Sequence, residues 1–258
     1  MFQTSVLASG SKGNCILVRS KNTGIIIDAG ISLKRIWAAL EDLKVPRSII
    51  KAVLISHEHS DHTRSAGALA RSLKIPLMIT ADTYTYCAHR LGKVQDWIHY
   101  FETGIEFLVG DILVRPFRSS HDAADPCNFR LEHDERSLGI ALDLGYFSKL
   151  TILRLQSVHS LILESNHDLK MLMEGPYEPN LKLRVKSEHG HLSNEQAVGL
   201  ISQVMHPGLK NLVLAHLSET NNHPDLAHNV MNDYLQSIRS DTNLIIADQY
   251  CHTPLVDI

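Results

Sequence analysis

The run Ala52-Val53-Leu54-Ile55-Ser56-His57-Glu58-His59-Ser60-Asp61-His62 decides how the chain is read. Ala52 to Ile55 is a short apolar run that predicts a buried strand, and Arg64 to Leu73 predicts a helix behind it. The junction between them carries the pattern H-x-H-x-D-H. In extended backbone His57 and His59 project to the same side, while Asp61 and His62, at the turn into the helix, point at a second position nearby. Four ligand-type side chains so close in sequence suit two adjacent metal ions better than one. A polar loop of solvated histidines is the alternative, and the place of the motif at a strand end argues against it. Histidine is also abundant overall, at 16 of 258 residues, and it is the commonest metal ligand.

Outward from this motif, the apolar runs Ser5 to Ala8, Cys15 to Val18 and Ile25 to Asp28 alternate with turn-forming stretches, Ser9 to Asn14 and Lys21 to Gly24, which predicts strands and hairpins. Ser32 then caps a helix whose apolar positions Leu33, Ile36, Trp37, Leu40 and Leu43 keep helical spacing up to Pro46. Further strands are predicted at Leu77 to Thr80, Ile112 to Phe117, Leu138 to Leu142, Leu161 to Glu164, Leu212 to Ala215 and Leu244 to Ala247. Ser193 and Gln196 match a capping box before an amphipathic helix, and Leu226 to Ile238 carries a second apolar stripe. Strands and helices interspersed in both halves predict an α/β fold in which two sheets pack together under outer helices.

The composition, 44% hydrophobic and 21% charged, excludes disordered and collagen-like classes, and no linker divides residues 1–258, so one domain is expected. No apolar stretch approaches the ~18–20 residues of a membrane span, and no secretory signal opens the chain, so a cytoplasmic protein without a membrane role is expected. The 4 cysteines form no CxxC pair and read as free thiols. A net charge of −3 excludes the bulk attraction of a histone-like protein to nucleic acid.

With these motifs in place, the sequence resembles the metallo-β-lactamase superfamily over essentially its whole length. Ile25-Ile26-Ile27-Asp28-Ala29-Gly30 matches the strand-end Asp-x-Gly that precedes the metal motif. His121, Asp143 and His216 each follow a predicted strand at the position of a later motif. The resemblance implies a four-layer αβ/βα sandwich of two mixed sheets. It implies one metal on His57, His59 and His121, a second on Asp61, His62 and His216, Asp143 bridging them, and Asp28 anchoring the ligand loop. A His/Asp set is compatible with Zn, Mn or Fe.

Two cations sharing a carboxylate lower the pKa of a bound water and neutralise a developing oxyanion, so such a site hydrolyses something. Within the superfamily the sequence is similar to the WalJ/YycJ exonuclease group through Leu7 to Asn14, Ser120-His121-Asp122-Ala123, Asp143-Leu144-Gly145, Glu164 to Asp168, Gly190 to Asn194, and Ala215 to Ser218 with Asn221-Asn222. That similarity implies a 5′-to-3′ DNA exonuclease with a role in mismatch repair, with Asp61 and His191 among the groups acting in the reaction. His191, just ahead of the Ser193 cap, is expected to contact the scissile phosphate and protonate the leaving oxygen.

Lys182, Arg184 and Lys186 alternate, which in extended backbone puts them on one face able to track a nucleic-acid backbone; a charge-guarded edge strand is the other reading. Ser11 and Asn14 are candidate phosphate contacts from a glycine-containing loop that also reads as a plain hairpin turn, and His167 is a second candidate for substrate contact. The span from Asp143 to His216 leaves no room for an inserted nucleic-acid clamp. Two other readings compete: hydrolysis of a small substrate (cyclic phosphodiester, thioester or lactam) at the same metals, and a non-catalytic protein that uses them to recognise DNA ends or a partner.

Overall fold

The strands are apolar on both sides because each sheet is covered on both sides. In the computed structural model, which describes residues 1–258, alternate residues of one strand enter different cores. Ile25 and Ile27 face one core and Ile26 another; Ala52 and Leu54 part from Val53 in the same way, as does Val213 from Leu212 and Leu214. One core lies between the sheets and the others lie between each sheet and its helices. The result is the four-layer sandwich implied by the resemblance. Full burial of each such side chain contributes roughly 1.5–3 kcal/mol before the cost of ordering the chain.

The first sheet contains β1 (Phe2–Ala8), β2 (Cys15–Ser20), β3 (Gly24–Ile27), β4 (Ile50–Leu54), β5 (Leu77–Ile79) and β6 (Ile98–Tyr100), in that spatial order, with β14 (Val256–Asp257) beside β1. The second contains β7 (Phe107–Val109), β8 (Ile112–Arg118), β9 (Cys127–His133), β10 (Arg136–Ala141), β11 (Ser160–Glu164), β12 (Asn211–Ala215) and β13 (Asn243–Ile246), also in order. From β3 to β6, and from β10 to β13, the pairing is parallel.

Outside the first sheet run α1 (Leu33–Asp42), α2 (Ser60–Thr63), α3 (Ala66–Leu73) and α4 (Ala81–Leu91). Outside the second run α5 (Lys149–Leu155), α6 (Leu169–Glu174), α7 (Pro179–Lys186), α8 (Asn194–Val204) and α9 (Pro224–Ser237). Ser32 caps α1 through the Arg35 amide, and Ser193 with Gln196 forms a complete capping box on α8. No helix is long and apolar enough to cross a membrane.

The segment holding Lys182, Arg184 and Lys186 is a correction: it is the helix α7, not an extended strand. Pro179 sits in its first turn, where the missing N–H costs nothing, and none of its residues is buried. Without a buried face, the alternating apolar and basic residues carry no strand signal. The predicted helix from Arg64 begins instead at Ala66, after the separate turn α2. Strand β9, absent from the strands predicted above, alternates apolar Cys127, Phe129 and Leu131 with polar Asn128, Arg130 and Glu132, a period-2 pattern that a search for continuous apolar runs passes over.

Candidate metal centre

The C-terminal ends of β3, β4, β8, β10, β11 and β12 converge, and each delivers a polar residue to the same place: Asp28, His57, His121, Asp143, Glu164 and His216. Asp28, Asp143 and His216 have φ of 57°, 51° and 55°. This left-handed backbone is costly for non-glycine residues, and here it recurs at the strand ends that carry site side chains. Gly30 allows the two loops of the first sheet to touch, since a Cβ there would lie 1.5 Å from the Asp61 carbonyl oxygen.

Two groups of donors result. His57 Nε2 and His121 Nε2 lie 3.0 and 3.3 Å from His59 Nδ1. A tetrahedral ion with metal–nitrogen distances of about 2.0–2.1 Å spaces its ligands about 3.3 Å apart, so this trio fits one ion. In the second group, His62 Nε2 lies 3.5 Å from Asp61 Oδ2 and 3.2 Å from Asp143 Oδ2, and His216 Nε2 lies 3.9 Å from Asp61 Oδ2. Asp143 Oδ1 is 3.8 Å from His121 Nε2, so the Asp143 carboxylate stands between the groups. Asp143 Oδ2 and His216 Nε2 are buried with no hydrogen-bond partner, as befits atoms whose lone pairs serve a cation.

The far side of the His57, His62, His121 and His216 rings is held by an acceptor, which fixes the tautomer and aims a lone pair inward. His62 Nδ1 donates to Asp28 Oδ2 at 2.8 Å, His121 Nδ1 to the Gly190 carbonyl at 3.2 Å, and His216 Nδ1 to Glu164 Oε1 at 2.7 Å. Ser56 Oγ donates to Asp28 Oδ2 and accepts from His57 Nδ1 at 3.0 Å. Asp28 thus braces the ligand loop through His62 and Ser56.

The electrostatics follow from packing carboxylates and imidazoles together under the surface. Burial alone would keep the His216 proton off, but Asp143, Asp61 and Glu164 overcome it and push its pKa up to about 10. His62 is raised for the same reason, against burial, by Asp143, Asp28 and Asp61. His57 is lowered by burial and by the charge on His62. Burial would raise Asp143, yet the His216 and His62 charges hold it well below the usual carboxylate range.

Glu164 is the functional residue that sequence reasoning passes over. It is fully buried, its Oε1 accepts from His191 Nδ1 at 2.8 Å as well as from His216, and its Oε2 accepts the backbone N–H groups of Leu144 and Leu192. Burial would raise it, but these imidazoles hold it down to about 2. Its sequence signals are its place at the end of a predicted strand and in the matching segment Glu164 to Asp168, and neither assigns it a role. His191 is half-buried and lines the cleft over the metal centre, a cavity of about 560 Å³ walled also by Tyr86, Tyr177, Arg184 and Ser11.

Several sequence candidates lie elsewhere than expected. Asn14 is buried, with Oδ1 accepting from the Gly10 amide at 2.9 Å and Nδ2 3.1 Å from His62 Nε2, so it braces the ligand loop instead of facing substrate. His167 is 1% exposed and does not line the cleft. Of the three basic residues on α7, Arg184 reaches the cleft, where it pairs with Asp122 at 2.5 Å; Lys182 Nζ donates to the Met173 carbonyl, and Lys186 does not line the cleft. Ser11 is exposed at the cleft wall.

Fold and donor set together define a metallo-β-lactamase superfamily hydrolase. The chain belongs to the β-lactamase superfamily, whose domain profile matches residues 23–217. It is 34% identical over 233 residues to "Exodeoxyribonuclease YycJ" of Bacillus anthracis, covering 90% of this chain and 88% of that one. It is 36% identical to "Exodeoxyribonuclease WalJ" of Streptococcus pneumoniae serotype 2, covering 89% and 87%. Among solved structures, the metallo-β-lactamase fold protein YhfI of Bacillus subtilis aligns with a TM-score of 0.69 at 16% identity, over 98% of this chain and 99% of that one, a likeness of fold.

Proposed function

We propose that the chain, acting as one domain over residues 1–258, is a dinuclear metal-dependent phosphodiesterase that degrades DNA from the 5′ end. The observation that carries the metal half of this reading is the Asp143 carboxylate standing between two groups of inward-aimed donors, its Oδ2 buried and unpartnered. The relatives named as exodeoxyribonucleases support the substrate half.

His57, His59 and His121 would hold one ion, Asp61, His62 and His216 the other, and Asp143 both; the oxygen and nitrogen donors suit Zn or Mn. Two such ions, when bound, activate a water for attack and stabilise charge on phosphoryl oxygens. The protein's own part is positioning and proton delivery. Glu164 accepts from His191 Nδ1 and leaves Nε2 for the cleft, where the imidazolium, protonated at both nitrogens, would meet the scissile phosphate and give its Nε2 proton to the departing oxygen. Asp61 and His216 are held in place by the same carboxylate network.

Digestion of end-labelled duplex DNA, single-stranded DNA and RNA by protein resupplied with Zn or Mn tests the reading. Stepwise loss from the 5′ end is expected, and Asp143→Ala should abolish both cleavage and tight binding of two metals. Protein that holds two metals yet cuts no polymer would overturn the nuclease reading and favour a small phosphodiester.

A further inference from the structure

Beside the metal cleft lies a second pocket of about 550 Å³ without a hydrophobic residue in its wall. Ser11, Ser60, Asp61 and Arg90 line both, so the two spaces adjoin. Its cations are Lys12, Arg64 and Arg90. Lys12 is already neutralised by Glu219 at 2.7 Å, whereas Arg64 and Arg90 are exposed and have no carboxylate partner, unlike Arg130 with Glu132 or Arg184 with Asp122. Arg90 is held toward the ligand loop by donating to the Glu58 carbonyl. The one carboxylate in the wall, Asp61, is turned to His62 and His216. One turn before Arg90 on the same face of α4 stands Tyr86, 63% exposed and lining the cleft.

Unpaired guanidiniums over an anion-sized polar space, next to an exposed ring, form the pattern that single-stranded nucleic acid meets: charge for the backbone and a stacking face for a base. We propose that this pocket binds a phosphate of the substrate strand adjoining the one at the metal centre, with Arg64 and Arg90 as its contacts and Tyr86 stacking on the neighbouring base. The proposal rests on the nuclease reading and adds to it where the strand runs: across α4, over the first sheet's side of the cleft.

The test is anisotropy titration of the metal-loaded chain with a phosphorothioate-linked single strand that resists cleavage, carrying either a 5′-phosphate or a 5′-hydroxyl, over a range of salt. Arg64→Ala with Arg90→Ala should weaken binding at least tenfold at low salt and flatten the log–log salt dependence by about 0.7 for each phosphate no longer neutralised. Weakening with both strands assigns an internal phosphate, and weakening only with the phosphorylated one assigns the terminal phosphate. Arg64→Ala alone should show part of the weakening; its side chain packs in no ion pair, so it guards against a folding defect. Tyr86→Ala should weaken binding without changing the salt slope. In turnover, the double variant should lose at least tenfold more kcat/KM on a polynucleotide than on bis(p-nitrophenyl) phosphate. Unchanged affinity and slope in the double variant, beside a wild type that binds and cleaves, would overturn the pocket alone. A wild type that binds neither strand would overturn the nuclease reading itself.

Discussion

Glu164 Oε1 serves two imidazoles, His191 at 2.8 Å and His216 at 2.7 Å, and so would tie the proposed proton delivery to the proposed metal binding through one atom. Glu164→Gln keeps the shape but halves the acceptor capacity and removes the charge. Metal affinity at the His62/His216 position should fall about 10–100-fold, with the His57/His59/His121 position spared, as read by stepwise metal titration. His191→Ala should behave differently: metal content stays at the wild-type level while kcat falls about 10²–10⁴-fold. Loss of metal from that variant would remove His191 from the leaving-group role. The difference in how these residues announce themselves is one of sequence distance. His57, His59, Asp61 and His62 form a local pattern that needs no fold to be read. Glu164 meets its partners across separations of 27 and 52 residues, so nothing near it in sequence tells its task. Asn14 misleads for the same reason, since its hydrogen bond to His62 spans 48 residues.

At the level of elements, strand ends are legible and surface helices are not. Apolar runs such as Ile25 to Ile27 and Leu212 to Ala215 mark buried strands whatever surrounds them, because both faces are covered. On α7 no face is buried, so the sequence carries neither helical nor strand periodicity that packing would enforce. The contact between the loops after β3 and β4 depends on one missing side chain. Gly30→Ala would push the Asp61 carbonyl away, and the loop carrying Asp61 and His62 must shift with it. The expected outcome is a stability loss of ~1–3 kcal/mol in denaturant unfolding together with loss of the second metal. Retention of both metals would show that the loop adapts around the methyl group.

Across the whole molecule, protons and metals compete for the same lone pairs. With His62 and His216 protonated in the metal-free protein at neutral pH, His216 up to about pH 10, metal binding must release protons. Apparent metal affinity should therefore rise with pH through the neutral range, and calorimetry in buffers of different ionisation enthalpy should count the protons released. A pH-independent affinity would contradict the network as drawn. Stability of the metal-free form has two limits. The raised His216 stabilises fully below its unfolded value of 6.5 and loses that contribution as pH rises toward 10. The depressed Glu164 stabilises fully above its unfolded value of 4.5 and loses that contribution as pH falls toward 2. Burial holds His57 below its unfolded value, so its contribution to stability still grows up to pH 6.5, and metal-free protein should accordingly melt highest near pH 6.5. Bound metal should move that optimum to the alkaline side.

Each donor group draws on both sheets: His57 and His59 from the first with His121 from the second, Asp61 and His62 from the first with His216 from the second. An ion bound to either group is therefore a cross-link over the seam, comparable in topology to a disulfide joining distant segments. Stripping the metals would leave the helix-covered faces intact while loosening the top of the seam. Limited proteolysis and amide exchange in the loops after β4, β8 and β12 would then report metal loading directly, even for a preparation whose substrate is not at hand.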